Sequence, residues 1–116
     1  MNNLDLYKSL ILNISKKDLT AVQKKELIDK ISICDKEGHN LIYSLIKTHF
    51  NQNNLNPENN LVIPYDGNKK NDGFEFNLLN LPNELRQILL KFVILHTRKI
   101  EVDNELKNNI NKSKHE

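Results

Sequence analysis

The sequence predicts a mainly α protein: a small helical bundle of three core helices plus an N-terminal helix, with a short β-hairpin before the last helix. Three observations predict this fold class. Apolar residues recur at spacings of three and four in four segments, which is the period of an amphipathic helix. Residues that favour helix N-termini precede these segments, and a short alternation of apolar and polar residues precedes the last one. A chain of 116 residues is long enough for one domain with a modest core.

The first two predicted helices differ in how clearly they begin. The first runs from about Leu4 to Ile14 and makes residues 1–18 an N-terminal amphipathic segment, whose apolar face must pack on this domain or on another chain. The second runs from Ala21 to about Ile33. Thr20 is its predicted N-cap, and Gln23, three residues later, completes a capping box. Its predicted buried stripe consists of Leu27, Ile28 and Ile31, with Val22 near the start.

The third and last predicted helices supply most of the core. The third covers about Lys36 to Phe50 after Asp35 as N-cap, and Gly38 in its first turn permits close packing against the second helix. The last begins near Asn83 or Glu84 and runs to about residue 99. Its predicted apolar face is made of Leu85, Ile88, Leu89, Phe92, Val93 and His96. Residues 20–100 are therefore the predicted helical domain, and residues 101–116 a basic polar tail.

The predicted hairpin joins residues 61–65 to residues 74–78. Pro64 cannot donate a ladder hydrogen bond, which favours an edge position for the first strand. In the second strand Phe74 and Phe76 alternate with Glu75. Either both phenylalanines point inward and cap the helical core, or the strand has a free edge to which a partner peptide adds a strand. In the second case Glu75 and Asp72 would attract a basic side chain of that peptide.

Composition excludes several classes of function. No apolar run approaches the roughly 20 residues of a spanning helix, and the N-terminus has no signal-peptide pattern, so we expect an intracellular protein without membrane contact. Its single cysteine, Cys34, excludes an internal disulfide and a cysteine zinc site. The sequence contains no phosphate-binding glycine loop, zinc-binding helix motif or nucleophile elbow, so we expect neither an enzyme nor a cofactor or metal.

Several short motifs, in this order and spacing, carry a resemblance to a known family: Lys24-Lys25-Glu26-Leu27, Ile31, Glu37, Leu41-Ile42, Leu45-Ile46, Phe74-Glu75-Phe76, Leu81-Pro82 and Leu85. The pattern resembles the NET domain, the extraterminal domain of the BET bromodomain proteins, over residues 20–99. The resemblance implies a three-helix fold with a short strand before the last helix, and no enzymatic activity. It also implies binding of basic-apolar peptides from transcription, chromatin and some viral proteins, often by strand addition.

The resemblance also implies roles for individual residues. Phe74 and Phe76 would supply apolar pocket surface, and Glu75 would take the place of the acidic strand residue of the family. The pocket wall from the helix would consist of Leu41, Ile42 and Leu45. The sequence departs from the family at Asn77, which stands where the family has a second acidic residue, and in its additional N-terminal helix.

Other functions remain open at this point. The chain could be a small assembly protein that homo-oligomerises through its N-terminal helix. It could instead bind nucleic acid weakly through the basic residues of the tail, although a net charge of +2 with dispersed lysines is not typical of a dedicated binder. The segment from Leu81 to Val93 also resembles the start of an F-box. The asparagine, lysine and isoleucine usage indicates an AT-rich genome, and we expect a viral protein located in the nucleus or in a viral replication compartment.

Overall fold

The computed structural model describes residues 3–53, 63–71 and 73–114, with side chains from residue 4 to residue 106 within those ranges. The described part is mainly helical, which confirms the predicted fold class. Its helices and strands are α1 (Asn3–Ile11), α2 (Ala21–Ser32), α3 (Lys36–Asn53), β1 (Asn68–Lys70), β2 (Gly73–Glu75) and α4 (Asn83–Lys114). Two 3-10 turns, Pro64–Asp66 and Leu78–Asn80, precede and follow the hairpin.

Helix α1 packs its apolar face inside the domain. Tyr7 and Leu10 are buried, and α1 contacts both α3 and α4. The helix ends at Ile11 rather than at the predicted Ile14, because Asn13 adopts a left-handed backbone conformation with φ of 58°. Most of this face therefore packs on the domain itself, which is the first of the two predicted alternatives.

Helix α2 begins with the predicted capping box. The Thr20 hydroxyl accepts a hydrogen bond from the Gln23 backbone, and the Gln23 side chain accepts one from the Thr20 backbone. The predicted buried stripe is only partly correct, because Leu27 is fully buried whereas Ile28 and Val22 are 56% and 78% exposed. Successive residues of a helix point about 100° apart. One narrow line of contact with α4 can therefore bury Leu27 but not its neighbour.

Helix α3 starts at the predicted N-cap. The carboxylate of Asp35 accepts a hydrogen bond of 2.8 Å from the Gly38 backbone N–H. A Cβ atom on Gly38 would lie 2.9 Å from the His96 ring and 3.0 Å from Cβ of Cys34. The glycine therefore permits close packing, but chiefly against α4 and not against α2 as predicted.

The hairpin lies before the last helix, as predicted, but its first strand is a different segment. Pro64 begins a 3-10 turn, and Tyr65 and Asp66 have φ of 53° and 58°, which is incompatible with an extended strand. The predicted first strand over 61–65 is therefore wrong where it is described, and residues 61 and 62 lie outside the described residues. Strand β2 pairs instead with the polar segment Asn68–Lys70. It ends at Glu75, before the predicted residue 78, because the Asn77 side chain accepts a hydrogen bond from the Leu79 backbone and starts the second turn.

Helix α4 is the centre of the core. It contacts α1, α2 and α3, and every residue of its predicted apolar face is buried. The Lys91 ammonium donates to the Leu10 carbonyl at 3.2 Å, which satisfies an acceptor at the C-terminal end of α1. The helix does not end near residue 99 as predicted but continues to Lys114, and residues 101–106 are exposed all round it. None of the described helices is long and apolar enough to cross a membrane.

Candidate peptide-binding surface

The hairpin presents two chemically different faces. Its antiparallel register pairs Asn68 with Glu75, Lys69 with Phe74 and Lys70 with Gly73. Because directly opposed residues share a face of a sheet, Phe74 and Lys69 lie on one face and Glu75 on the other. All residues of both strands are exposed.

An aromatic cluster joins the hairpin to α3. The rings of Tyr43 and Phe74 stack with centroids 4.5 Å apart and planes inclined by 11°, and the ring of Phe76 lies 6.2 Å from that of Tyr43. Phe74 remains 42% exposed, whereas Phe76 is half-buried against the core. The first alternative, with both rings inward against the core, therefore holds for Phe76 only. The sequence pattern did not single out Tyr43 as a site residue. Its position directly after Ile42, however, places it beside the predicted pocket wall on α3.

Glu75 has a weak partner inside the hairpin. The Lys70 ammonium lies 4.0 Å from its carboxylate, and both side chains are largely exposed. The two residues are diagonal neighbours on one face of the sheet. An exposed pair of this kind contributes about 0–1 kcal/mol, so the Glu75 carboxylate can exchange its partner at little cost.

The outer edge of β2 has no strand beside it among the described residues, where the sheet consists of β1 and β2. Each of these strands offers its unpaired backbone groups on one side. An exposed edge of this kind can accept a further strand from another chain.

The remaining predicted site residues lie at different depths. Leu41 is partly buried, Ile42 is buried, and Leu45 is fully buried in the core. The latter two support the packing beneath the surface and present little surface of their own. Asp72 lies outside the described residues. The side chains of the basic tail, Lys107, Lys112, Lys114 and His115, also lie outside the described ones.

A cluster of polar side chains that the sequence did not predict lies between α3, α4 and the turn at Pro64–Asp66. The Nδ1 atom of His49 lies 2.6 Å from the Tyr65 hydroxyl, and its Nε2 atom lies 3.3 Å from Glu84. A carboxylate only accepts hydrogen bonds, so Nε2–H donates to Glu84 and Nδ1 accepts from Tyr65. Burial lowers the pKa of His49, against the opposing effect of Glu84. The imidazole is therefore neutral near neutral pH.

The same cluster perturbs two tyrosines. Burial, followed by the charges of Tyr7 and Glu84, raises the pKa of Tyr65 to about 12. Burial and then Glu84 likewise raise the pKa of Tyr7. Both hydroxyls are thus held in the neutral form beside one carboxylate.

The cluster is connected to the hairpin through Gly67. A Cβ atom on Gly67 would lie 2.5 Å from the Phe76 ring, so the chain passes directly against that ring between Tyr65 and β1.

The buried histidines His49 and His96 do not contact each other, since His49 contacts Tyr65 and Glu84 whereas His96 contacts Asp35. Within the described residues, no three His, Cys, Asp or Glu side chains could together hold a metal ion.

The fold and the surface define a small, mainly helical protein that carries an exposed hairpin on its helices. The chain is 32% identical over 69 residues to "Uncharacterized protein 348R" of Invertebrate iridescent virus 6. The aligned segment covers 60% of this chain and 69% of that protein. It belongs to the family of this viral protein. No family model matches the chain, and no solved structure matches it.

Proposed function

We propose that this chain is a non-enzymatic protein-interaction module, similar to a NET domain, that binds a basic-apolar peptide by strand addition at β2. The observation that carries the proposal is the exposed edge of β2, with Phe74 stacked on Tyr43 at one face and Glu75 at the other. The order of elements, a helix pair followed by a strand and a last helix, agrees with the resemblance.

The expected binding mode follows from the hairpin. Main-chain hydrogen bonds to the edge of β2 give affinity without sequence preference, and side chains on alternate positions give specificity. Apolar side chains of the peptide would cover Phe74, and a lysine would pair with Glu75 in place of Lys70. Transcription or chromatin proteins carry such basic segments, so the nucleus or a viral replication compartment is the proposed location.

An NMR titration with a short peptide of alternating lysine and isoleucine tests this proposal. Chemical-shift changes should concentrate at residues 73–76 and at Tyr43. Glu75→Lys should abolish binding without altering the rest of the spectrum. Glu101→Lys, the same charge change at an exposed position of α4, serves as the matched control and should bind like the wild type. Unchanged affinity in the Glu75 variant would refute the proposal.

A second candidate function, self-association, is favoured by one observation on α4. Leu95, Val102 and Leu106 lie along one side of the helix, and about half of each side chain is exposed. In an antiparallel pair of α4 helices, Leu95 of one copy would face Leu106 of the other. Arg98 and Glu105, which share one flank of the stripe, would then lie opposite each other with complementary charge. Because α1 buries its apolar face internally, this stripe replaces the N-terminal helix as the proposed assembly surface.

Light scattering over a range of protein concentrations tests this second candidate. A mass that rises with concentration, and that Val102→Asp reduces to that of the monomer, would support it. Val22→Asp is the matched control, since Val22 is also exposed but lies on α2 away from the stripe. A monomeric mass at every concentration would exclude self-association.

A further inference from the structure

An open cavity of about 390 Å³ lies beside the polar cluster, where the end of α3 meets the start of α4. It falls within the size range of ligand pockets, roughly 300–1,000 Å³. Six residues line it: His49, Phe50, Asn53, Tyr65, Pro82 and Glu84. Neither the peptide surface at β2 nor the self-association stripe includes any of them.

Two aromatic rings form a corner of this cavity. The rings of Phe50 and Tyr65 have centroids 5.3 Å apart and planes at 88°, and both side chains are half-buried. The hydrogen bond of the Tyr65 hydroxyl to His49 fixes one of the two walls. The face of an aromatic ring carries partial negative charge and attracts a cation placed over it.

The third feature of the cavity is the carboxylate of Glu84. Its side chain is 20% exposed, and its charge contributes, after burial, to the raised pKa of Tyr65 and of Tyr7, so the potential around it is negative. His49 donates a hydrogen bond to Glu84 as a neutral group and does not cancel that charge. The Lys16 ammonium lies 4.0 Å from the other carboxylate oxygen, but its side chain is 83% exposed and therefore loosely held.

We infer that this cavity binds an alkylammonium group, and specifically the side chain of a lysine from the bound peptide. Two aromatic rings and one carboxylate line this open space, and groups of these kinds recognise an organic cation. An anion would be repelled by Glu84, and a neutral apolar group would leave the charge of that carboxylate balanced only by the loosely held Lys16. The loose pairing of Lys16 with Glu84 means that an incoming ammonium displaces little.

The path of the chain places this pocket next to the hairpin. Tyr65 lines the cavity, Gly67 touches Phe76, and β1 begins at the following residue. Pro82, on the other side of the hairpin, also lines the cavity. The assignment of the lysine to the peptide rests on the proposed strand addition. The pocket would then give the bound peptide a second point of attachment.

The test uses a small probe, N-acetyl-lysine methylamide, titrated into the labelled full chain and followed by NMR. We expect saturable shifts at the Asn53 side-chain amide and at the Tyr65 and Phe50 rings. The same compound acetylated on its ε-amino group has no charge and should bind at least about tenfold more weakly. Absence of saturable shifts at these groups, or equal binding of the two compounds, would overturn the inference.

Two variants sharpen the assignment. Glu84→Gln keeps the acceptor for His49 but removes the charge, and it should weaken binding of the probe about tenfold or more. Phe50→Leu keeps apolar volume but removes one aromatic ring, and it should also weaken binding of the probe. This second variant tests the inference even if Glu84→Gln fails to fold. Glu101→Gln, at an exposed position of α4, is the control and should bind the probe like the wild type. Undiminished binding in a folded Glu84 or Phe50 variant would contradict the inference.

The probe and the lysine-isoleucine peptide separate the two proposals. If the probe shifts the pocket but the peptide leaves residues 73–76 unchanged, the ammonium pocket holds and strand addition fails. If the peptide binds at β2 while the probe leaves the pocket unchanged, strand addition holds and the ammonium pocket is overturned.

Discussion

The Nε2 atom of His96 lies 2.9 Å from Oδ1 of Asp35, so the central helix holds the residue that begins α3. The same oxygen accepts the hydrogen bond from the Gly38 backbone. The hydrogen bond from His96, and then that from Gly38, hold the pKa of Asp35 below its ordinary value of 3.8. One carboxylate therefore couples the N-terminus of α3 to α4.

This coupling predicts a loss of stability in acid. Because the folded-state pKa of Asp35 lies below the unfolded value of 3.8, the unfolded chain takes up the proton first as the pH falls. The stabilisation is thus complete above that value and disappears as the pH falls through the folded-state pKa. In urea unfolding, Asp35→Asn should show a smaller loss of unfolding free energy in this range than the wild type. The exposed control Asp103→Asn should keep the wild-type slope, and an equal slope in both variants would contradict the prediction.

The core of α2 gives a prediction from two adjacent residues. Leu27→Ala removes a fully buried side chain and should lower the unfolding free energy by about 2–5 kcal/mol. Ile28→Ala, at the next position, removes a side chain that is 56% exposed and should cost well under half as much. Thermal or urea denaturation measures both. Similar losses in the two variants would show that α2 is rotated relative to α4.

The raised pKa of Tyr65 predicts how the protein responds to alkali. Between the ordinary value of 10.0 and about 12, the unfolded chain loses the Tyr65 proton while the folded chain keeps it. The free energy of unfolding should therefore fall as the pH rises through this range. The ultraviolet absorbance of tyrosinate can follow this titration, and the difference between wild type and Tyr65→Phe should titrate near pH 12. A difference that titrates near pH 10 would mean that the hydroxyl is not buried against His49.

Gly67 is expected to be intolerant of a side chain although its backbone angles are ordinary. Its φ of −66° suits any residue, but a Cβ atom would lie 2.5 Å from the Phe76 ring and 2.9 Å from Ile63. Gly67→Ala should therefore destabilise the protein by about 1–3 kcal/mol and shift the Phe76 resonances. Asn71→Ala, at the exposed turn of the hairpin, is the control and should change stability by no more than about 0.5 kcal/mol. An alanine variant as stable as the wild type would show that Phe76 can move freely.

The helices could be predicted from the sequence because local chemistry defines them. The capping box at Thr20 and the N-cap at Asp35 fix two starting points, and the apolar face of α4 is continuous over three turns. The orientation of α2 could not be predicted, because Leu27 and Ile28 are equally apolar and only packing selects one. The first strand was also missed, since the left-handed Tyr65 depends on a hydrogen bond to a distant residue, His49.

The candidate site shows the same division. Phe74 and Glu75 follow from alternation along one strand, which is a local pattern. The pocket formed by Phe50, Tyr65 and Glu84 brings together residues from three separate segments, and no periodicity in the sequence relates them. Tyr43 is an intermediate case, because its position on α3 is predictable but its stacking on Phe74 requires the hairpin to fold back.

His49 also joins two described segments that are separate in the sequence, the end of α3 and the turn at Pro64–Asp66. Its backbone carbonyl accepts a hydrogen bond from the Asn53 side chain, and its ring accepts one from Tyr65. Asn53 and Tyr65 are thus held by one residue of the helical core. An isotope label on the His49 ring would therefore report at once on the end of α3 and on the turn at Pro64–Asp66.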